Sequence, residues 1–177
     1  MNAGEWITRL TALAAVVLYG ASLLVDRSQG PPAARRLARW LWSAGCATYL
    51  VHVVCAFGLM HAWSHAAAYR HTAARTAEMV GLDWGGGLYF NHVFTAVWLG
   101  DALWWWLRPA SYQAQPFWTR LALRGFLAFM VFQATVVFGS RPAQVLGGAI
   151  FAAWGAKLLR DSRKKTASTT RDSSRAD

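Results

Sequence analysis

Charged residues are scarce in this chain, and so are cysteines. Of its 177 residues only 15% are charged, whereas 55% are apolar and 11 are tryptophan. This composition is too apolar and too aromatic for an ordinary soluble domain. The net charge of +10 does not indicate a nucleic-acid partner, because the basic residues separate apolar runs instead of following an amphipathic pattern. The composition therefore predicts a protein that resides in a lipid bilayer.

The two cysteines, Cys46 and Cys55, exclude a disulfide framework. Both lie in one apolar run, and nine residues on a helix place them about 13 Å apart, too far to pair. Other chemical signatures are missing as well. The sequence has no H-E-x-x-H zinc motif, no C-x-x-C-H haem attachment, no phosphate-binding loop, no rhomboid-like Ser/His pair and no repeated half. Catalytic residues are therefore not predicted, and enzymatic activity stays open.

Five apolar runs predict an all-α fold, a polytopic transmembrane helical bundle over residues 1–160. A helix needs about 20 mainly apolar residues to cross the bilayer core. The predicted spans are residues 7–25, 40–60, 88–107, 121–139 and 143–159. A secretory signal peptide is the alternative for the first run, but Glu5 weakens its basic start and no A-x-A site follows.

The segments between the runs have distinct compositions. Residues 26–39 are a predicted basic loop, because Gly30-Pro31-Pro32 ends any helix. Residues 61–81 are Ala-rich and predict an outer helical segment, either prolonging the second span or lying along the membrane interface. Residues 161–177 are basic and Ser/Thr-rich, which predicts a disordered tail.

The basic residues predict the orientation of these spans. With five spans, 14 of the 18 basic residues fall on one side and four on the other. The positive-inside rule then places the N-terminus outside and the C-terminus in the cytoplasm, and we expect the inner membrane of a bacterium. A four-span alternative, with 140–142 as a kink, would put the basic tail opposite the other basic loops.

All five histidines lie between Leu50 and His92, and four of them lie towards the outer side in this topology. His61 and His65 are four residues apart, a spacing that allows one helix face to chelate a metal ion. His92 could complete the site from the third span, with His71 and Glu78 as additional ligands or as groups that orient a ligand. The ion would be a transition metal such as Zn, Cu, Ni or Fe.

Two other interpretations remain open for the histidines. His52 and His92 could ligate a haem, although their depths differ by about 7 Å. Alternatively, His52 forms an interhelical hydrogen bond to a Ser, Thr, Tyr or Gln residue, with Gln133 as a candidate partner. His61, His65 and His71 would then be interfacial, hydrogen-bonding to water and headgroups within an outer aromatic belt.

Asp101 is the only acid inside an apolar run, and burying its charge would be costly. We expect it to pair with Arg39 or Arg124 near the inner interface. Asn91 and Gln133 add polar groups to the outer half of the spans.

Two functions follow from these observations. The first is a membrane protein that binds a metal ion or haem through its outer histidines. The second is a non-catalytic membrane subunit or assembly factor whose outer His-rich segment docks a partner. The expected partners are the lipid bilayer and either a second copy of the chain or other membrane subunits, with no nucleic acid.

Overall fold

The computed structural model describes the backbone of residues 3–25 and 31–173, and side chains as far as residue 163. The described chain is all helical and contains no strand. Its seven helices are α1 (Ala3–Leu24), α2 (Pro32–Cys55), α3 (His65–Val80), α4 (Gly87–Leu107), α5 (Pro109–Gln113), α6 (Phe117–Phe132) and α7 (Arg141–Ser173). Two π-helical turns, Ala56–Met60 and Gln133–Val137, extend α2 and α6.

Three helices are long and apolar enough to cross a membrane. They are Ala3–Leu24, Pro32–Met60 and Phe117–Val137, and each corresponds to one of the predicted spans. The sequence predicted five spans. Among the described residues, the helices that meet this criterion are fewer than predicted. α4 contains 21 residues, but its tryptophans together with Asn91, His92 and Asp101 lower its hydropathy. α7 combines a short apolar part with a long basic one.

The second span begins earlier than predicted. Residues 26–30 of the predicted loop lie outside the described residues, but α2 already starts at Pro32 and carries Arg35, Arg36 and Arg39 on its first turns. Proline is tolerated at the first helical position because its missing N–H would have no partner there. The following Ala-Ala-Arg-Arg-Leu-Ala sequence favours a helix.

The last helix is longer than predicted. α7 continues through Ser173, whereas the sequence predicted a disordered tail from residue 161. Arg, Lys and Ala are good helix formers, and the segment contains neither Gly nor Pro to stop the helix. Residues 174–177 of the predicted tail lie outside the described residues.

The core of the bundle is an aromatic cluster from three helices: Tyr19 of α1, Trp42 and Tyr49 of α2, and Phe94 and Trp98 of α4. Their ring centroids are separated by 4.9–5.7 Å, and Trp42 and Trp98 are each only 1% exposed. Around this cluster α1 packs against α2 and α7, α4 against α2 and α6, and α6 against α7. The arrangement holds all the long helices in one bundle.

The outside of the bundle is apolar. Large side chains such as Val17, Val51, Val54 and Phe129 remain exposed on the helices that could cross a membrane. In water such a surface would promote aggregation, whereas lipid tails accommodate it. The exposed surface and the three apolar helices are therefore compatible with a membrane protein.

Candidate histidine-lined cavity

The end of the second span is shaped by an unusual turn. After the π-helical turn Ala56–Met60, Ala62 and Trp63 adopt positive φ angles of 46° and 61°. Such conformations cost non-glycine residues roughly 1–3 kcal/mol each and persist only where the surroundings enforce them. Here the Trp63 N–H donates to the carbonyl of Phe57 at 2.8 Å. The Trp63 ring lies against Gly58, where an added Cβ would be 3.1 Å from the ring.

This turn ends the helix before His65, so α3 is a separate element. The Ser64 hydroxyl accepts a hydrogen bond from the Ala67 N–H at 3.2 Å and caps its start. Gly81, with a φ of 74°, ends it in the left-handed conformation typical of a helix C-terminus. The outer segment therefore does not prolong α2, and His61 and His65 lie on different elements instead of sharing one helix face.

The turn and the packing of α3 against α4 form a partly open cavity of about 190 Å³. Four of the five histidines line it, one from α2, one from the turn, one from α3 and one from α4. These are His52, His61, His71 and His92, joined by the polar side chains of Tyr49, Thr72, Asn91 and Thr95. Tyr49 and Thr72 do not stand out in the sequence, because neither belongs to a recognisable motif.

The histidines form two pairs. The ring centroids of His61 and His71 are 5.2 Å apart. Those of His65 and His92 are 5.8 Å apart, with the Tyr89 ring 5.8 Å from His65. The sequence predicted a different set, in which His61 and His65 bound one ion together with His92.

That predicted set does not form. Among the residues that the structure describes, no three His, Cys, Asp or Glu side chains are close enough to hold one metal ion. The physical reason is the helix break, since the i, i+4 rule applies only within a continuous helix. His71, predicted as an additional group, instead lies beside His61.

Glu78 pairs with Arg75 and does not line the cavity. Its carboxylate accepts a hydrogen bond from the Arg75 guanidinium at 2.6 Å, and both side chains are exposed on α3. The sequence proposed Glu78 as a ligand because seven residues separate it from His71. The Glu78 carboxylate instead forms its ion pair with Arg75, three residues away on α3.

His52 is held by α1. Its Nδ1 lies 2.9 Å from the carbonyl oxygen of Thr8. A carbonyl only accepts hydrogen bonds, so Nδ1 carries the proton and Nε2 of the neutral ring keeps a lone pair. An interhelical hydrogen bond was predicted, but with a side chain such as Gln133. Gln133 instead begins the π-helical turn that extends α6. There its backbone carbonyl accepts a hydrogen bond from the Phe138 N–H at 2.9 Å.

The electrostatic environment of His61 favours its neutral form. Partial burial, and to a lesser extent the positive charge that His71 can carry, lower the pKa of His61. Neutral imidazole is the form that binds metals. Within the described part of the chain, neither His61 nor His71 forms a side-chain hydrogen bond with another residue, so their ring nitrogens remain open to an added ligand.

A bis-histidine haem does not fit this geometry. His52 and His92 both line the cavity, but its volume of about 190 Å³ is below the roughly 300–1,000 Å³ of sites for drug-sized ligands. A haem would require the helices to separate and the aromatic core to open.

Asp101 lies outside the cavity, in the C-terminal half of α4. It is 6% exposed, and its Oδ2 accepts a hydrogen bond from the Tyr112 hydroxyl of α5 at 3.2 Å. The sequence predicted a pair with Arg39 or Arg124. Arg39 instead lies over the ring of Trp106. Asn91 lines the cavity, and its backbone carbonyl accepts a hydrogen bond from the Thr95 hydroxyl at 2.8 Å.

Comparison with known proteins provides no further assignment. No protein-family model, no curated protein and no solved structure matches this chain. Any function therefore has to be argued from the cavity and from the bundle that surrounds it.

Proposed function

We propose that this chain is a small integral membrane protein that binds a transition-metal ion reversibly at the histidine-lined cavity. The observation that carries the proposal is the His61–His71 pair, whose ring centroids are 5.2 Å apart. Two imidazoles that share one tetrahedral ion through bonds of about 2.0–2.1 Å have centroids about 5 Å apart. The pair therefore supports binding of one ion without a large rearrangement.

Two protein ligands leave the remaining coordination positions to water. Hydroxyl and amide groups from Thr72, Asn91 and Thr95 line the same cavity and can hydrogen-bond to that water. Structural zinc sites use four protein ligands and catalytic ones use three. A site with two histidines is therefore suited to taking up and releasing an ion, and we propose no reaction for it.

We also propose that α4 and α7 cross the membrane with the three apolar helices. α4 is 21 residues long, or about 31 Å, which matches a hydrocarbon core of about 30 Å. Both helices pack within the same bundle. Five spans place 14 of the 18 basic residues on one side, which favours an outer N-terminus, a cytoplasmic C-terminus and a cavity open to the outside.

The metal proposal is tested on purified protein in nanodiscs after treatment with a chelator. Titration with Co²⁺, followed by its visible absorption, should give saturable binding, and Zn²⁺ should displace it. His71→Ala should weaken binding at least about tenfold, because one of two ligands is lost. Binding should also weaken as pH falls through about 6.5, where imidazole gains its proton.

Glu78→Gln is the matched control, because Glu78 lies on the same helix as His71 but is paired with Arg75. It should leave Co²⁺ affinity unchanged. If the wild-type protein shows no saturable binding of Co²⁺, Zn²⁺ or Cu²⁺, or if both variants lose it equally, the metal proposal is wrong.

A second candidate function, docking of a partner protein at the outer end, is favoured by a separate observation. Large apolar side chains are exposed at the C-terminal end of α3 and just after it, at Val80, Leu82 and Trp84, and Trp63 is 67% exposed. A photo-crosslinking residue at position 82 in native membranes distinguishes the two environments. A protein adduct of defined mass would favour docking, and lipid adducts alone would favour an interfacial aromatic belt.

A further inference from the structure

One face of α2 carries Arg35, Arg39 and Ser43, spaced four residues apart. This spacing places them on the same side of the helix, one above the other. They lie in the first half of α2, at the end of the helix where the basic residues are concentrated. Arg36, three residues from Arg39, is exposed, whereas Arg35 and Arg39 are half-buried.

The ring of Trp106, at the end of α4, forms a platform beside this face. Its Nε1–H donates to the Ser43 hydroxyl at 2.8 Å. Its ring also meets the Trp40 ring edge-on, with the centroids 4.8 Å apart. The indole is therefore held from two sides by α2 and has one preferred orientation.

The Arg39 guanidinium lies over this platform, 4.0 Å from the ring centroid of Trp106. A cation above an aromatic face is attracted by the ring quadrupole, but this contact uses none of its N–H groups. The Nε of Arg39 is buried and has no hydrogen-bond partner. Within the described part of the chain, no carboxylate forms an ion pair with Arg39.

The terminal N–H groups of this guanidinium are not fully buried and form no hydrogen bond within the described chain, so an acceptor from outside that chain can reach them. Guanidinium groups bind phosphate through two parallel hydrogen bonds. The surroundings indicate where that phosphate comes from. α2 is long and apolar enough to cross a membrane, and tryptophan beside arginine is typical of the headgroup region.

We propose that Arg39, supported by Trp106 and by Arg35 one turn away, binds the phosphate of an anionic phospholipid. Phosphatidylglycerol has a suitable headgroup, with one phosphate and no compensating cation. Basic pockets between helices at the membrane surface are known to bind anionic headgroups. This proposal depends on α2 crossing the membrane and is independent of the metal site.

Native mass spectrometry of the full chain, released from nanodiscs with equal amounts of phosphatidylglycerol and phosphatidylcholine, tests the proposal. The wild-type protein should retain phosphatidylglycerol preferentially. Arg39→Gln should lower this retention about tenfold, the loss expected for a charge-assisted hydrogen-bonded contact. Arg39→Lys should retain more phosphatidylglycerol than Arg39→Gln but less than the wild type, because lysine keeps the charge but lacks the planar guanidinium.

Arg36→Gln is the matched control, since it removes the same charge from an exposed position three residues away. It should have a much smaller effect, as exposed charges contribute little. Equal losses in Arg36→Gln and Arg39→Gln, or equal retention of both lipids by the wild type, would overturn the proposal. Equal retention by Arg39→Lys and Arg39→Gln would likewise show that the position 39 cation does not bind phosphate.

Inorganic phosphate can form the same hydrogen bonds as a lipid phosphate. A second experiment therefore distinguishes these two ligands. Protein in pure phosphatidylcholine nanodiscs is titrated with inorganic phosphate, and binding is followed by calorimetry. No Arg39-dependent binding at millimolar phosphate is expected if the lipid is the ligand. Saturable binding that Arg39→Gln abolishes would show that a soluble phosphate occupies the site instead.

Discussion

At the residue scale, the chemistry of the histidine-lined cavity depends on which histidine side chains lie next to each other. His61 pairs with His71, and His65 pairs with His92, because the turn at residues 61–64 separates neighbours that a continuous helix would have kept together. His52 has a different role, since Thr8 holds its ring against α1. Five residues of one type thus occupy three environments.

The His61–His71 pair predicts a pH dependence of stability in the absence of metal. The pKa of His61 is lowered from the usual 6.5 by burial first and by His71 second. The unfolded chain therefore binds more protons than the folded one in the pH range between the lowered pKa and about 6.5. The contribution of His61 to the free energy of unfolding is fully present above that pH and is lost as pH falls through the lowered pKa.

Two measurements check this prediction. NMR titration of ¹³C-labelled histidine should place the His61 pKa below 6.5, and His71→Gln should raise it partway, because burial remains. The pH dependence of unfolding in detergent should become shallower in the same variant. A His61 pKa at or above the value of a free histidine would contradict this prediction, and so would a further decrease in His71→Gln.

At the element scale, the π-helical turns decide how helices end and meet. The turn Gln133–Val137 packs against α7, where Gly147 faces Thr135. A Cβ at position 147 would overlap the Thr135 side chain, whereas one at position 148 would meet nothing within 4 Å. Adjacent glycines in one helix therefore have opposite tolerance for a methyl group.

This contrast predicts different stabilities for two alanine variants. Gly147→Ala should lower the free energy of unfolding by about 1–3 kcal/mol, because the close contact between α7 and α6 must open. Gly148→Ala should leave it unchanged or raise it by up to about 1 kcal/mol, since alanine favours a helix. Thermal unfolding in the same detergent compares them. Equal stability of the two variants would show that α7 does not contact Thr135 closely.

At the scale of the whole molecule, the distribution of basic residues predicts the orientation of the bundle. Reporter fusions that are active only outside or only inside the membrane provide the measurement. A fusion at the N-terminus should report the outside, and one after residue 177 the cytoplasm. Reporters on the same side would eliminate the five-span arrangement and, with it, the outer location of the cavity.

The sequence was sufficient to recognise an all-helical chain with apolar helices. The predicted spans 7–25, 40–60 and 121–139 coincide with Ala3–Leu24, Pro32–Met60 and Phe117–Val137 within a few residues at most ends. This part succeeded because apolar composition and length act locally and do not depend on the neighbours of a helix. The main boundary error, at Pro32, arose because proline at a first helical position was read as a loop.

The contacts between side chains were decided only by the tertiary structure. The sequence suggested that His61 would join His65 and His92, and His65 and His92 do lie together. The positive φ angles at Ala62 and Trp63 redirect the chain, so that His61 lies beside His71 instead. Likewise Asp101 of α4 meets Tyr112 of α5, and Arg39 of α2 meets Trp106 of α4, so that each pair joins two different helices. Helical periodicity relates residues only within one unbroken helix, so the partners across helices depend on how the turns and the core rotate each helix against the next.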